Sequence, residues 1–178
     1  MTFDDRSFEG IAMAESRALA QLAELVADTL HKRSLMMASA ESCTGGLVSA
    51  AITDVSGSSA WFERGFVVYS NEAKSQMLGV PAALIREHGA VSEPVAHAMA
   101  EGAVLNSRAQ VAVAITGVAG PTGGTPDKPV GMVCFGWSNR LQTRVETRHF
   151  KGDRKQVRLQ AAEHALRGVL DFLDSAEC

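Results

Sequence analysis

Apolar positions along the chain follow two different spacings, and segments of the two kinds alternate. Leucine and valine side chains at helical intervals predict a first helix over residues 8–33. Further helices are predicted at 45–55, 71–78, 82–87, about 92–105, and beyond Asp153, whose side chain can cap the last one. Strands are predicted at 35–40, 61–70, 110–116, 130–138 and 143–150. Gly65 indicates a bulge in the second strand.

This order of elements predicts the fold class. Helices that alternate with strands favour a three-layer α/β/α sandwich on a sheet of about five strands. The sheet is expected to be mixed but mostly parallel, because the last two strands form a predicted hairpin around Asn139. No repeat and no long linker divides the chain, so a single domain over residues 1–178 is expected. The pattern leaves the order of residues 1–10 open.

Composition and charge limit the classes of partner. The chain is 46% apolar and 21% charged, with a net charge of −3, so it offers no electrostatic reason to expect a nucleic-acid partner. Neither a secretory leader pattern nor an apolar run long enough for a membrane span occurs. Cys43, Cys134 and Cys178 are odd in number and widely spaced, which argues against a disulfide framework. A cytoplasmic protein without a membrane partner is expected.

Three unusual segments follow three of the predicted strands: residues 42–46, 69–74 and 116–124. Open α/β sheets bind ligands beyond the carboxyl ends of their strands. We therefore expect these segments to converge on one cleft, and this convergence is the main indication of a functional site.

The first segment contains Ser42-Cys43-Thr44-Gly45-Gly46 and joins a strand to a helix. Such a turn exposes backbone N–H groups that suit an anion or the oxyanion of an acyl-transfer intermediate. Its serine can be a nucleophile if a base lies within hydrogen-bond reach. The alternative is a capped helix start, in which the hydroxyl groups only satisfy backbone donors.

The second segment runs from Tyr69, the only tyrosine of the chain, to Lys74. A lysine beside a serine can act as a general base if burial lowers its pKa from about 10.4, and a phenol between them can relay the proton. The alternative is a solvated lysine and an aromatic residue at a strand end. The spacing matches neither a Ser-x-x-Lys nor a G-x-S-x-G arrangement.

The third segment, residues 116–124, is rich in glycine, which allows close approach of the backbone to a ligand. It is not a Walker A loop, since no Gly-Lys-Ser/Thr follows. Arg154, at the start of the last predicted helix, could bind an anion or be an ordinary surface arginine. The histidines and cysteines show no metal-binding spacing, so neither a metal nor a cofactor is expected.

Seven short blocks, in order, make the chain resemble the CinA C-terminal domain family in its stand-alone form. The blocks are residues 40–46, 57–62, 69–74, 89–92, 117–121, 128–131 and 152–154, and the resemblance runs from about Leu35 to Leu173. The resemblance implies an anticodon-binding-like α/β/α fold and removal of the amide of nicotinamide mononucleotide as ammonia. It also implies a small-molecule substrate and, most simply, a homodimer.

The resemblance also implies roles for individual residues. Ser42 resembles the nucleophile, Lys74 the general base, and Tyr69 an aid to proton transfer. The residues implied to contact the oxyanion or the substrate are Cys43, Thr44, Gly45, Gly46, Asn71, Thr116, Gly117, Gly120 and Arg154, the last of these the expected phosphate partner. Met132 departs from the small polar residue expected after Lys-Pro-Val-Gly, which puts substrate affinity or specificity in question if this position contacts ligand.

Three hypotheses of function follow. The first is a metal-independent amidohydrolase that acts through a serine acyl-enzyme. The second is a non-catalytic or regulatory module that binds a pyridine nucleotide with the same loops. The third, an RNA-binding module, rests on the fold analogy alone and is disfavoured by the acidic balance.

Overall fold

The computed structural model describes the backbone of residues 5–175 and the side chains of residues 17–175. Its helices are α1 (Asp5–Arg33), α2 (Leu47–Thr53), α3 (Asn71–Leu78), α4 (Ala82–His88), α5 (Glu93–Leu105) and α6 (Arg154–Ser175), with a 3₁₀ turn at Ser58–Ala60. Its strands are β1 (Met37–Glu41), β2 (Phe62–Val67), β3 (Val111–Gly117), β4 (Met132–Asn139) and β5 (Thr143–His149). Within this part of the chain, no helix has both the length and the apolar character to cross a bilayer.

The five strands form one mixed sheet in the order β2-β1-β3-β4-β5. Strand β1 pairs in parallel with both β2 and β3, and β4 lies antiparallel between β3 and β5. All strands except β4 therefore run in one direction. The predicted α/β class with a mixed, mostly parallel sheet is confirmed, and so is the hairpin at Asn139.

The two faces of the sheet carry side chains of different size, which sets how closely the helices pack. In β3, valines and an isoleucine face the layer formed by α1, α2 and α6, while Ala112 and Ala114 face α3, α4 and α5. A Cβ added at Gly136 of β4 would lie 2.6 Å from the Ala96 oxygen of α5. Small side chains thus let α5 lie close against the sheet, whereas the opposite layer is filled by large ones.

The largest differences from the predicted elements occur where strands end in turns. Helix α2 begins at Leu47 and not at 45, because Gly45 and Gly46 have φ of +59° and +100°. Strand β2 ends at Val67, since the chain then turns and Ser70 accepts a hydrogen bond from the Ala73 amide to cap α3. Asp153 caps α6 as predicted, accepting from the Gln156 amide at 2.9 Å.

The predicted bulge at Gly65 is wrong. Gly65 pairs in register with Ser39, and the irregularity in β2 lies between Phe62 and Arg64. Glycine is needed at 65 for packing, because an added Cβ would lie 2.3 Å from the hydroxyl oxygen of Ser49. Of the N-terminal segment whose order was left open, residues 1–4 lie outside the described residues, and α1 begins at Asp5.

Candidate active site

The loops at the carboxyl ends of β1, β2 and β3 meet at one edge of the sheet, as the topology of three parallel neighbours requires. Contacts from Lys74 connect the loop after β2 to the loop after β1. Arg154, at the start of α6, connects the loop after β2 to the glycine-rich loop after β3. Side-chain contacts therefore connect residues from all three predicted segments.

At this edge of the sheet, the Nζ atom of Lys74 lies 3.1 Å from the Oγ atom of Ser42. Both side chains are buried, Lys74 with 1% and Ser42 with 8% of its surface exposed. Lys74 comes from the first turn of α3, and Ser42 directly follows β1. The turn at Val68 to Ser70 thus brings together two residues that are 32 positions apart.

The surroundings of Lys74 favour the neutral amine. Burial lowers the pKa of Lys74 from its ordinary value. No carboxylate among the described residues forms an ion pair with it. The backbone oxygens of Val68, Tyr69 and Ser70, at 3.0, 3.4 and 3.5 Å, accept hydrogen bonds from this amine. In its neutral form the amine has a lone pair that can accept the hydroxyl hydrogen of Ser42, which is the arrangement a general base needs.

Glu41, at the end of β1, organises the turn that carries Ser42, and the sequence pattern did not identify it. Its buried carboxylate accepts hydrogen bonds from the amides of Gly46 (3.0 Å), Val48 (3.1 Å) and Ser49 (2.8 Å). The hydroxyl of Ser49 donates to it as well, at 2.7 Å. These bonds satisfy the free donors at the start of α2. The only signal in the sequence is an acidic residue at the end of a strand of small, mostly apolar residues.

This arrangement narrows the predicted set of oxyanion donors. The Gly46 amide donates to the carboxylate of Glu41, and the Gly45 amide donates to the backbone oxygen of Ser42 at 3.1 Å. Within the described chain, the amides of Cys43 and Thr44 donate to no other residue. Both residues are buried, Thr44 completely and Cys43 with 6% of its surface exposed. Burial raises the pKa of the Cys43 thiol to about 12, so the thiol stays protonated and is no rival nucleophile.

Arg158, one turn after Arg154 on α6, is the second residue that the sequence pattern missed. Its Nε donates to the Cys43 oxygen at 3.1 Å and its Nη2 to the Thr44 oxygen at 2.9 Å. The partners are backbone atoms more than 110 positions away in the chain. Nothing in the local sequence reveals them, apart from the helical spacing that places this residue on the same side of α6 as Arg154.

Tyr69 and Arg154 form a further contact between these loops. One guanidinium nitrogen of Arg154 is 3.0 Å from the phenol oxygen of Tyr69, and another donates to the Gly120 oxygen at 2.8 Å. Both acceptors are neutral, so the charge of Arg154 is not neutralised by a carboxylate in the part of the chain described. A cavity of about 570 Å³ adjoins Arg154 and is lined by Ala119, Pro121, Val130 and the segment 152–155.

The other predicted contacts have partners of their own. The hydroxyl of Thr116 donates to the Ala90 oxygen at 2.8 Å, and an added Cβ at Gly117 would lie 2.7 Å from Val133. Asn71 lines a different surface cleft, between α3 and α4. Met132 begins β4, where its oxygen accepts from the Val118 amide. A ligand-binding role for these residues stays a prediction.

Within the described residues, no group of three or more His, Cys, Asp or Glu side chains could hold a metal ion. The chemistry of the site is that of a buried hydroxyl, a buried amine with a lowered pKa, and an arginine bound to the glycine-rich loop. Together these groups suit the attack of a serine on an acyl carbon in a substrate that carries an anionic group.

Known proteins resemble this chain both in sequence and in fold. The model of the CinA C-terminal domain matches residues 19–173. A nicotinamide-nucleotide amidohydrolase, PncC from Escherichia coli K12, is 53% identical over 150 residues, which cover 84% of this chain and 91% of that protein. A solved structure, the competence/damage inducible protein CihA from Agrobacterium tumefaciens, is 40% identical, with a TM-score of 0.85 and coverage of 88% and 96% of the two chains.

Other relatives are much longer than this chain. A putative competence-damage inducible protein from Symbiobacterium thermophilum is 53% identical over 166 residues, or 86% of this chain, but these cover only 39% of that protein. A CinA-like protein from Syntrophobacter fumaroxidans is 51% identical over 82% of this chain, and the match covers 34% of its length. The chain thus corresponds to one part of these proteins and to nearly the whole of PncC.

Proposed function

The chain belongs to the CinA C-terminal domain family, and from this membership and its Ser42–Lys74 pair we propose that it is a nicotinamide-nucleotide amidohydrolase. Its likeness to PncC proteins, at 49 to 53% identity over most of both chains, supports a hydrolase. The observation that carries the proposed mechanism is the buried amine of Lys74, 3.1 Å from the Ser42 hydroxyl.

The proposed reaction is acyl transfer through an ester of Ser42. Lys74 takes the hydroxyl proton while the Ser42 oxygen bonds to the carboxamide carbon of nicotinamide mononucleotide. Lys74 then returns this proton to the leaving nitrogen as the C–N bond breaks, and ammonia departs. Water, deprotonated by Lys74, cleaves the ester to give nicotinic acid mononucleotide and restores the hydroxyl of Ser42.

The remaining groups of the cleft bind the charges of substrate and intermediate. Backbone amides of the turn at residues 43–46 stabilise the oxyanion, and loss of one such donor typically costs about 10²- to 10³-fold in kcat. Arg154 binds the phosphate, because a phosphate oxygen is a stronger acceptor than the phenol and the carbonyl that it contacts in this structure. The phenol of Tyr69 acts either by orienting Arg154 or as the predicted proton relay.

Release of ammonia from four related amides tests this proposal. The compounds are nicotinamide, its riboside, its mononucleotide and the dinucleotide, each assayed with the wild type and with Ser42→Ala. We expect the mononucleotide to be hydrolysed fastest and Ser42→Ala to be inactive. Saturable binding of the mononucleotide without turnover by the wild type would indicate the non-catalytic module, and RNA binding at physiological salt would revive the third hypothesis.

We place the protein in the cytoplasm, on the basis of its cysteine usage. Cys43 and Cys134 are both free and buried, and Cys178 lies outside the described residues. A homodimer is the simplest assembly for a chain of this size, and sedimentation equilibrium would test it.

A further inference from the structure

Two leucines of the described chain are more exposed than any other large apolar side chain in it. Leu105, at the end of α5, has 81% of its surface exposed, and Leu141, in the turn between β4 and β5, has 82%. Leu105 lines two surface grooves, of about 640 and 430 Å³, which also share Glu101. Arg140, directly before Leu141, lines the smaller groove. An exposed apolar patch with polar residues at its rim is typical of an interaction surface.

The larger groove follows the outer face of α5 and is apolar with acidic groups. Glu101 is half exposed, and its nearest charged or titratable neighbour is the Nδ1 atom of His97, at 3.4 Å. Within the described residues, no lysine or arginine pairs with Glu101 or with Glu93, the second carboxylate of the groove. The apolar part of the lining includes Leu84, Pro94, Ala98, Leu105 and Val145.

The β4–β5 turn, residues 139–142, has the opposite charge and protrudes beside these grooves. Its Arg140 is exposed and forms no ion pair with a carboxylate of the described residues. The side-chain oxygen of Asn139 accepts hydrogen bonds from the amides of Leu141 and Gln142, each at 2.8 Å. Because these bonds already fix the turn, it loses little conformational freedom when it binds.

The grooves and the turn are complementary to each other, and one chain carries both. Arg140 and Glu101 line the same groove but do not pair within the chain. In a two-fold interface a surface meets its own copy, so each residue and its contact must both be present on the same face. An unrelated partner would need only one half of this surface. The presence of both halves therefore favours a second copy of this chain.

We propose that this face forms the interface of a homodimer. The β4–β5 turn of each chain enters the groove beside Leu105 of the other, and Arg140 pairs with Glu101 of the partner subunit. The interface lies at the edge of the sheet opposite Ser42, since Asn139 pairs with Val111 at the start of β3. The inference extends the homodimer proposed above by assigning its surface, and it does not rest on the proposed activity.

The first test is sedimentation equilibrium between about 0.1 and 100 µM chain. Leu141→Glu places a charge in an apolar groove, twice in each dimer, so we expect the dissociation constant to rise at least about 100-fold. Leu25→Glu is the matched control, at a 55% exposed leucine of α1 in the layer on the other side of the sheet. It should change the constant less than about threefold.

The wild type separates the surface from the assembly. A dimer whose dissociation constant is the same in Leu141→Glu and wild type would contradict the proposed surface and leave the homodimer standing with another interface. A wild type that stays monomeric throughout this range would overturn the homodimer as well, and would leave the grooves to a partner other than this chain.

Reversal of the charges tests the proposed pairing. Arg140→Glu and Glu101→Arg each bring like charges together twice, and each should raise the dissociation constant by about tenfold. The double variant restores opposite charges in reversed order and should return to within about threefold of the wild type. Both positions are exposed, so unchanged melting temperatures are the check that the single variants remain folded. A double variant that associates no better than the single variants would refute the pairing.

Discussion

The phenol of Tyr69 is hydrogen-bonded to Arg154, at 3.0 Å, whereas Lys74 contacts Tyr69 only through the backbone oxygen. Tyr69 is exposed, with 62% of its surface accessible to solvent. In this arrangement Tyr69 orients the arginine that we assign to the phosphate. The relay predicted from the sequence requires the phenol to leave Arg154 and move to the Ser42–Lys74 pair.

The first prediction separates these two parts of Tyr69. We expect Tyr69→Phe to raise KM for the mononucleotide by about three- to tenfold, the value of one neutral hydrogen bond, with kcat changed less than threefold. Steady-state ammonia release measures both constants. A fall in kcat of a hundredfold at unchanged KM would instead support the relay.

Removal of the phosphate-binding charge should affect one substrate and spare another. We expect Arg154→Ala to lower kcat/KM for the mononucleotide by about 10- to 100-fold, since charge-assisted hydrogen bonds are worth about 1.5–3 kcal/mol. The riboside, which lacks the phosphate, should lose less than threefold. An equal loss for both compounds would place the role of Arg154 elsewhere, in support of Tyr69 or Gly120.

The pH dependence of activity follows from the lowered pKa of Lys74. A general base works only when deprotonated, so kcat/KM should rise with pH through the pKa of Lys74 and level off below the ordinary lysine value of about 10.4. Lys74→Arg keeps a positive charge that cannot be lost and should be about 10²- to 10⁴-fold less active at every pH. A wild-type profile that is flat from pH 6 to 10 would contradict the assignment of the base.

Glu41 should matter for stability as well as for activity. In Glu41→Gln an amide NH₂ would face backbone N–H groups that now donate to a carboxylate, leaving buried donors without acceptors. We expect the free energy of unfolding to fall by about 2–4 kcal/mol in urea titrations. Glu24→Gln, at an exposed position of α1, is the matched control and should change it by less than about 0.5 kcal/mol.

The outline of the site was predictable because it follows from topology. Ser42 and Tyr69 follow β1 and β2, Thr116 lies at the carboxyl end of β3, and parallel neighbouring strands bring such residues to one edge of the sheet. Lys74 was predictable as a partner of Ser42 because it lies in the first turn of α3, directly after the loop that follows β2. The predicted bounds of the helices and strands also lie close to the observed ones, since apolar spacing determines which face of each element is buried.

The support of the site was not predictable in the same way. Glu41 and Arg158 bind backbone atoms of a turn whose shape depends on two glycines with positive φ. Neither residue type indicates such a contact, and for Arg158 the partner lies in a distant part of the chain. Nothing in the structure explains why Met132 replaces the small polar residue expected at that position.

The most direct test of the serine mechanism is the mass of the chain after acid quenching during turnover of nicotinamide mononucleotide. We expect a nicotinate-nucleotide ester on Ser42 of the wild type, and neither the ester nor ammonia release in Ser42→Ala. Ammonia release by Ser42→Ala at the wild-type rate would contradict it.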